Sequence, residues 1–237
     1  YNKMKRNVKK IKDLFDKKLS EPEKQYAVLL KGFLHKCDYS ASAGIECEKV
    51  NDFLNTSLNE WETDENISYN ELQEFCIKNT DSNLIVTAPT GMGKTEAGLL
   101  WCGDNKCFFV LPLKTAINAM YGRIKDLCGK DFKERVALVH SDMKSYYLED
   151  SIINGKNYDF VYAQYSKQLS LPITVCTPDQ IFDFALKYAG YEYKLAVASY
   201  SKFIIDEIQM YSPDVLAAVI YAIKMIHTLG GKVAVLT

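Results

Sequence analysis

The chain has 237 residues, 48% of them apolar and 25% charged, enough for a buried core spread over one or two domains. Its 29 basic and 30 acidic residues leave a formal net charge of -1, so no global basic field marks a nucleic-acid binder and any such surface is a local patch. No apolar run reaches about 18 residues, the length a membrane-spanning helix needs.

Residues 2–18 are rich in lysine, with Met4, Val8, Ile11 and Phe15 on one helical stripe. They predict an amphipathic helix whose basic face is either solvated or a surface that tracks DNA. Ser20-Glu-Pro-Glu23 starts a second predicted helix, which runs through His35 toward Asp38. His35 and Asp38, at i and i+3, share a face that can ligate a metal, but two residues do not make a site. Residues 45–68 mix Asn, Asp, Glu, Ser and Thr with scattered apolar positions, and read as a connector with a little helix around Val50–Leu54. Ser68-Tyr-Asn-Glu71 fits the capping pattern [ST]-x-x-[DE] and predicts a helix ending near Asn79, with Gln73 on it. The Gln73 amide has the donor and acceptor to read an adenine edge, or it is an ordinary exposed helix residue.

Leu84-Ile-Val then predicts a strand, followed by Ala88-Pro-Thr-Gly-Met-Gly-Lys-Thr95 and a helix. The loop fits the phosphate-binding pattern G-x-x-x-x-G-K-[ST], with Ala in the first place. Thr90, Gly91, Met92 and Gly93 form its turn. The glycines let backbone N–H groups curl round anionic oxygens, and the helix start adds its positive end. Lys94 supplies a point charge for the β- and γ-phosphates of ATP, and Thr95 a hydroxyl ligand for Mg²⁺. Further strands are predicted at Cys107–Pro112, Arg135–Val139, Ile173–Cys176, Lys202–Ile205 and from Lys232. Alternating with helices, they give an α/β fold with a mostly parallel sheet, whose ligands bind beyond the carboxyl ends of the strands. The tyrosines of residues 142–170, interleaved with lysines, either stack bases or pack on each other. Pro213–Leu229 predicts an apolar helix, capped by Ser212 and stopped at Gly230. Seven cysteines, an odd number without a C-x-x-C pair, predict reduced, mostly buried thiols, a cytoplasmic setting and no zinc site.

Asp206-Glu207 ends the apolar strand Phe203-Ile-Ile. Downstream of a phosphate loop, Asp206 can hold Mg²⁺ from the side opposite Thr95, and Glu207 can polarise the attacking water. The alternative is an ordinary acidic strand terminus. The set Gln73, Ala88–Thr95, Pro112–Thr115, Thr177–Gln180 and Asp206–Gln209 resembles the first motor domain of superfamily 2 helicases. That resemblance implies a RecA-like domain in which ATP is held by two loops. It also implies that a single strand is gripped at Pro112, Lys114, Thr115, Asn118, His140, Ser141, Thr177, Pro178 and Asp179. Leu236-Thr237 resembles the start of the Ser/Thr-Ala-Thr coupling motif.

Gly93-Lys-Thr-Glu-Ala97, Leu111–Tyr121, Val139-His-Ser141 and Ile204–Pro213 resemble the CRISPR-associated nuclease-helicases of type I systems. Leu29–Asp38 with Ser40–Gly44 is similar to the last helix of that family's HD nuclease domain. The implied division is an HD remnant at 1–44, a linker at 45–67 and the first RecA-like domain at 68–237. Asp38 would be the last carboxylate of a transition-metal site in the intact HD domain. Implied partners are single-stranded DNA and the crRNA-guided surveillance complex. Gln209 stands where that family often has His, and Lys114 where helicases commonly have Arg. The first residue is not Met and the last ones fall in an apolar run, so a piece of a longer protein is expected. A different superfamily 2 DNA or RNA helicase, or a nucleic-acid-binding module without turnover, are the competing readings.

Overall fold

The computed structural model describes residues 19–64, 68–153, 155 and 157–237; the amphipathic segment expected at 2–18 lies outside them. Helix α1 (Glu21–Ala43) begins at the expected place, with Ser20 and Glu23 forming a reciprocal cap. The connector that follows is not loose. Phe53 and helix α2 (Leu54–Asp64) send Phe53, Leu54 and Leu58 into the core, so the helix lies further along than Val50–Leu54. Helix α3 (Glu71–Lys78) is capped by Asn70 rather than Ser68: Asn70 and Gln73 exchange side chain-to-backbone hydrogen bonds of 3.0 Å each way.

From there strands and helices alternate: β1 (Leu84–Val86), α4 (Lys94–Cys102), β2 (Cys107–Val110), α5 (Lys114–Cys128), α6 (Phe132–Arg135) and β3 (Val136–Val139). Next come α7 (Met143–Ile153), α8 (Phe160–Lys167), β4 (Ile173–Cys176), α9 (Pro178–Ile181), α10 (Tyr191–Ala198), β5 (Lys202–Asp206), α11 (Pro213–Leu229) and β6 (Lys232–Leu236). Arg135, expected to open a strand, instead closes α6, and its guanidinium donates to the Cys128 carbonyl at 2.8 Å.

The six strands form one sheet in the order β1-β6-β5-β2-β4-β3, and every pairing is parallel. Strands β2, β4 and β5 are buried throughout, as strands covered by helices on both faces must be. Alternate residues feed two cores. Phe109 and Ile204 pack with α2, α4 and α5, while Phe108 and Phe203, stacked at 4.8 Å, pack with α10 and α11. The tyrosine-rich stretch packs on itself: the Tyr147 and Tyr162 rings lie 4.8 Å apart and the Tyr121 and Tyr162 hydroxyls 2.7 Å apart, with Tyr147 and Tyr162 buried.

Helix α1 docks on α10. A Cβ on Gly32 would fall 2.0 Å from the Glu192 carbonyl oxygen, so only glycine permits this approach, and Lys31 pairs with Glu192 at 2.6 Å beside it. Below the sheet, at the amino ends of β2 and β5, Glu48 gathers buried cations. One carboxylate oxygen pairs with Lys106, and the other with Lys36 at 3.0 Å and the Tyr200 hydroxyl at 2.8 Å. Lys106 also donates to the Leu171 carbonyl at 2.7 Å. Burial, opposed by Glu48, pushes its ammonium down to about 8.

Two measurements check this network by chemical denaturation. Glu48→Gln leaves two buried ammonium groups without their carboxylate and is expected to cost about 3 kcal/mol, whereas Lys106→Met, which leaves Glu48 its Lys36 and Tyr200 partners, is expected to cost less. Lys106 releases its proton near pH 8 when folded, below its unfolded value of about 10.4. Its contribution to stability therefore rises with pH across that interval, and Lys106→Met flattens the rise.

Candidate nucleotide and nucleic-acid site

Because the strands are parallel, all their carboxyl ends lie on one rim. Strand β6 sits between β1 and β5, so Leu236 pairs with Val86 on one side and Asp206 on the other. The phosphate loop leaves from β1 and the acidic pair from β5, one strand apart. The Ala88 N–H donates to the Thr237 carbonyl at 3.0 Å, and the Thr237 N–H to the Val86 carbonyl at 2.9 Å, fixing the start of the loop against β6. Gly91 and Gly93 take φ of +87° and +73°, the left-handed conformations expected of them. The Lys94 ammonium folds back onto the Ala88 carbonyl at 2.9 Å, inside the loop.

Gln73 is buried, not exposed. Its amide oxygen is spent on the Asn70 N–H, and a Cβ on Gly93 would meet its amide nitrogen at 2.7 Å. Asn70 in turn donates to the Met92 carbonyl at 3.1 Å. The capped end of α3 therefore braces the glycine turn from behind. Thr95, at the start of α4, accepts from Arg123 of α5 at 3.4 Å, and Arg123 also pairs with the buried Glu96.

Asp206 is buried. Burial first, and then the adjacent Glu207 charge, raise its carboxyl above the ordinary range, while the Lys94 ammonium pulls the other way. Lys94 and Asp206 thus share one electrostatic neighbourhood. Glu207 adopts φ +53°, a conformation that L residues rarely hold, and its N–H donates to both Asp206 Oδ1 at 3.0 Å and the Leu236 carbonyl at 3.1 Å. Gln209 donates to Glu207 and accepts from the Thr237 hydroxyl at 2.8 Å, joining the acidic turn to the end of β6. Hard oxygen donors at Asp206 and Thr95, with an uncompensated carboxylate alongside, suit Mg²⁺. Asp38 lies exposed on α1, and among the described residues no group of three or more His, Cys, Asp or Glu side chains is placed to hold a metal.

The loops after β2, β3 and β4 meet further along the same rim. His140 Nε2 donates to the Asn118 side-chain oxygen Oδ1 at 3.2 Å, and Nδ1 accepts from the Asp142 N–H at 3.1 Å, which assigns the proton to Nε2. Burial, ahead of the opposing charge of Asp142, lowers its pKa and keeps the ring neutral. Lys114 is held by Asp142 at 2.6 Å, with Ser141 on the same carboxylate at 3.1 Å. Thr115, Ser141 and Asp179 are exposed, whereas Thr177 and Pro178 are buried at the start of α9.

The sequence pattern of the DEAD/DEAH box helicases matches residues 70–236. The chain belongs to that family. Within it, the chain is 28% identical over 228 residues to the CRISPR-associated nuclease/helicase Cas3 of Methanothermobacter thermautotrophicus, covering 92% of this chain and 27% of that one. A Cas3-type protein of Methanocaldococcus jannaschii is 29% identical over 143 residues, covering 54% of this chain and 19% of that one. The chain therefore spans about a quarter or less of these helicases. Among solved structures, that of T. fusca Cas3-ATP superposes with a TM-score of 0.61 at 19% identity, covering 80% of this chain and 23% of that one. A hypothetical ATP-dependent RNA helicase from Sulfolobus tokodaii superposes with a TM-score of 0.51 at 23% identity, covering 77% and 50%. These likenesses establish the RecA-like helicase fold.

Several residues of the site carry no role in the sequence reading. Asn70 was legible, since Asn70-x-x-Gln73 is itself a capping box. Glu96 and Thr237 stand inside recognised motifs. Arg123 and Asp142 gave no local signal. The raised Asp206 carboxyl yields a test: Mg²⁺-dependent binding of a fluorescent ADP analogue is expected to weaken on acidification above the usual carboxylate range. Glu207→Gln removes the neighbouring charge, lowers the Asp206 pKa and shifts that loss to lower pH.

Proposed function

We propose that this chain is the first motor domain of an ATP-driven single-strand translocase, the helicase part of a nuclease-helicase of CRISPR interference. The observation that carries the reading is the convergence of Lys94, Thr95, Asp206 and Glu207 across β6, with the strand-gripping loops on the same rim. Thr90–Thr95 cradle the triphosphate of ATP, Gln73 supports the glycine turn, and Thr95 and Asp206 hold Mg²⁺, which when bound neutralises the β- and γ-oxygens. Glu207, held by Gln209, orients the attacking water. Pro112, Lys114, Thr115, Asn118, Ser141 and Asp179 hold the single strand, and the buried His140, Thr177 and Pro178 shape the strand-gripping loops from behind.

The resemblance to Cas3-type proteins supports assigning residues 1–44 to the end of an HD nuclease domain and 45–67 to the connector. It also supports Asp38 as a carboxylate of that domain's transition-metal site. In the whole protein, recruitment by the crRNA-guided surveillance complex would bring the motor to its DNA. The motor's own chemistry needs arginines from a second motor domain to complete the transition-state clamp, so the chain by itself is expected to bind nucleotide and turn it over slowly.

Lys94→Ala decides the nucleotide part. It is expected to abolish binding of a fluorescent ATP analogue while leaving the thermal midpoint unchanged, and retained binding would reject the site. For the strand, Lys114→Ala is expected to weaken binding of an oligo-dT and reduce the slope of log affinity against log salt by about 0.7. Asp142→Asn frees the Lys114 ammonium and removes a negative charge, so it is expected to tighten binding. Running the same titrations with oligo-U tells a DNA motor from an RNA one.

A further inference from the structure

Helix α5 touches both sites. Its first five residues include Lys114, Thr115 and Asn118, and Arg123 lies nine residues beyond Lys114, about 14 Å along the axis at the helical rise. There the guanidinium forks. One nitrogen donates to Thr95 Oγ1 at 3.4 Å, and the other pairs with Glu96. The Glu96 side chain is 7% exposed and lies beneath the glycine turn, its second oxygen 3.5 Å from where a Cβ on Gly93 would stand. A buried carboxylate beside a triphosphate site is repulsive unless a cation compensates it. Arg123 is the cation that does so, and the same fork fixes the Thr95 hydroxyl. The orientation of the metal-ligating hydroxyl and the charge under the phosphate loop therefore both depend on where α5 sits. Along α5, Ile117, Tyr121, Ile124 and Cys128 are buried in the core, so the strand-facing start of the helix and Arg123 belong to one packed body.

We propose that Arg123 is a positioning residue that couples the two sites: strand binding at the start of α5 is transmitted through the Arg123 fork to Thr95 and Glu96. The inference rests on the nucleotide and strand sites proposed above. A helix is stiff enough to carry such a displacement, and the coupling is reciprocal by thermodynamic necessity. A fork that bridges two partners needs arginine; lysine keeps the charge but reaches one of them.

The test uses the purified 237-residue chain, a fluorescent ADP analogue with Mg²⁺ and a labelled oligo-dT. In the parent chain, each ligand is expected to change the affinity of the other by the same factor, about fivefold or more. Arg123→Gln is expected to cut that factor below about twofold while oligo-dT affinity alone is retained, with Arg123→Lys intermediate. Glu96→Gln with Arg123→Gln removes the unpaired carboxylate, so it recovers any lost thermal stability but not the coupling. The proposal is overturned if Arg123→Gln keeps the coupling, if the double variant regains it, or if the parent chain binds both ligands independently. Parent binding that Lys94→Ala leaves untouched would instead reject the underlying nucleotide site, and this inference with it.

Discussion

The structure depends on one strand, β6, being wedged between β1 and β5. Both loops of the candidate nucleotide site hang on its last residue, Leu236, and on Thr237 just beyond it. Ala88 and Val86 exchange hydrogen bonds with Thr237, while the Glu207 N–H reaches the Leu236 carbonyl. Gln209 closes the arrangement from the side chain of Thr237. A parallel sheet makes this geometry general, since carboxyl ends must share a rim. Among the described residues the two loops share no direct hydrogen bond and are held in register through a third strand. A displacement of β6 by even a fraction of a residue would alter the gap between Lys94 and Asp206.

Much of this was readable in the sequence, because the controlling features are local. The phosphate loop needs two glycines at positive φ, a lysine and a threonine at fixed spacing. The fully apolar runs Cys107–Val110 and Phe203–Ile205 signal strands covered on both faces. Failures came where the signal was shared or long-range. The stretch Ser68–Gln73 contains two overlapping capping boxes, and burial of Gln73 against Gly93 decides for the one that starts at Asn70. The connector looked polar because α2 buries one stripe only, Leu54 and Leu58. Arg123 lies 28 residues from Thr95 and 27 from Glu96, and only the folding of α5 across α4 makes them neighbours.

Gln209 shows how a departure from a family pattern can preserve its physics. A histidine at that place would offer one donor and one acceptor from a neutral ring. The glutamine amide offers the same pair, donating to Glu207 and accepting from Thr237. It does so without a titration near neutral pH, so the link between the acidic turn and β6 holds its charge state where a histidine would change.

The two rims of the sheet treat buried charge in opposite ways. At the amino ends, Glu48, Lys36 and Lys106 are closed into a network with backbone carbonyls and the Tyr200 hydroxyl. That network ties α1 and the connector to β2 and the approach to β4. At the carboxyl ends, Asp206 and Glu207 stand side by side with like charge, Glu207 in a backbone conformation that costs energy, and Asp206 with its carboxyl raised by burial. A cation is the natural relief for that repulsion, and the strain has no use to the fold alone. The amino-end rim thus neutralises its buried charge within the fold, whereas the carboxyl-end rim, among the described residues, leaves two adjacent carboxylates without a paired cation of their own.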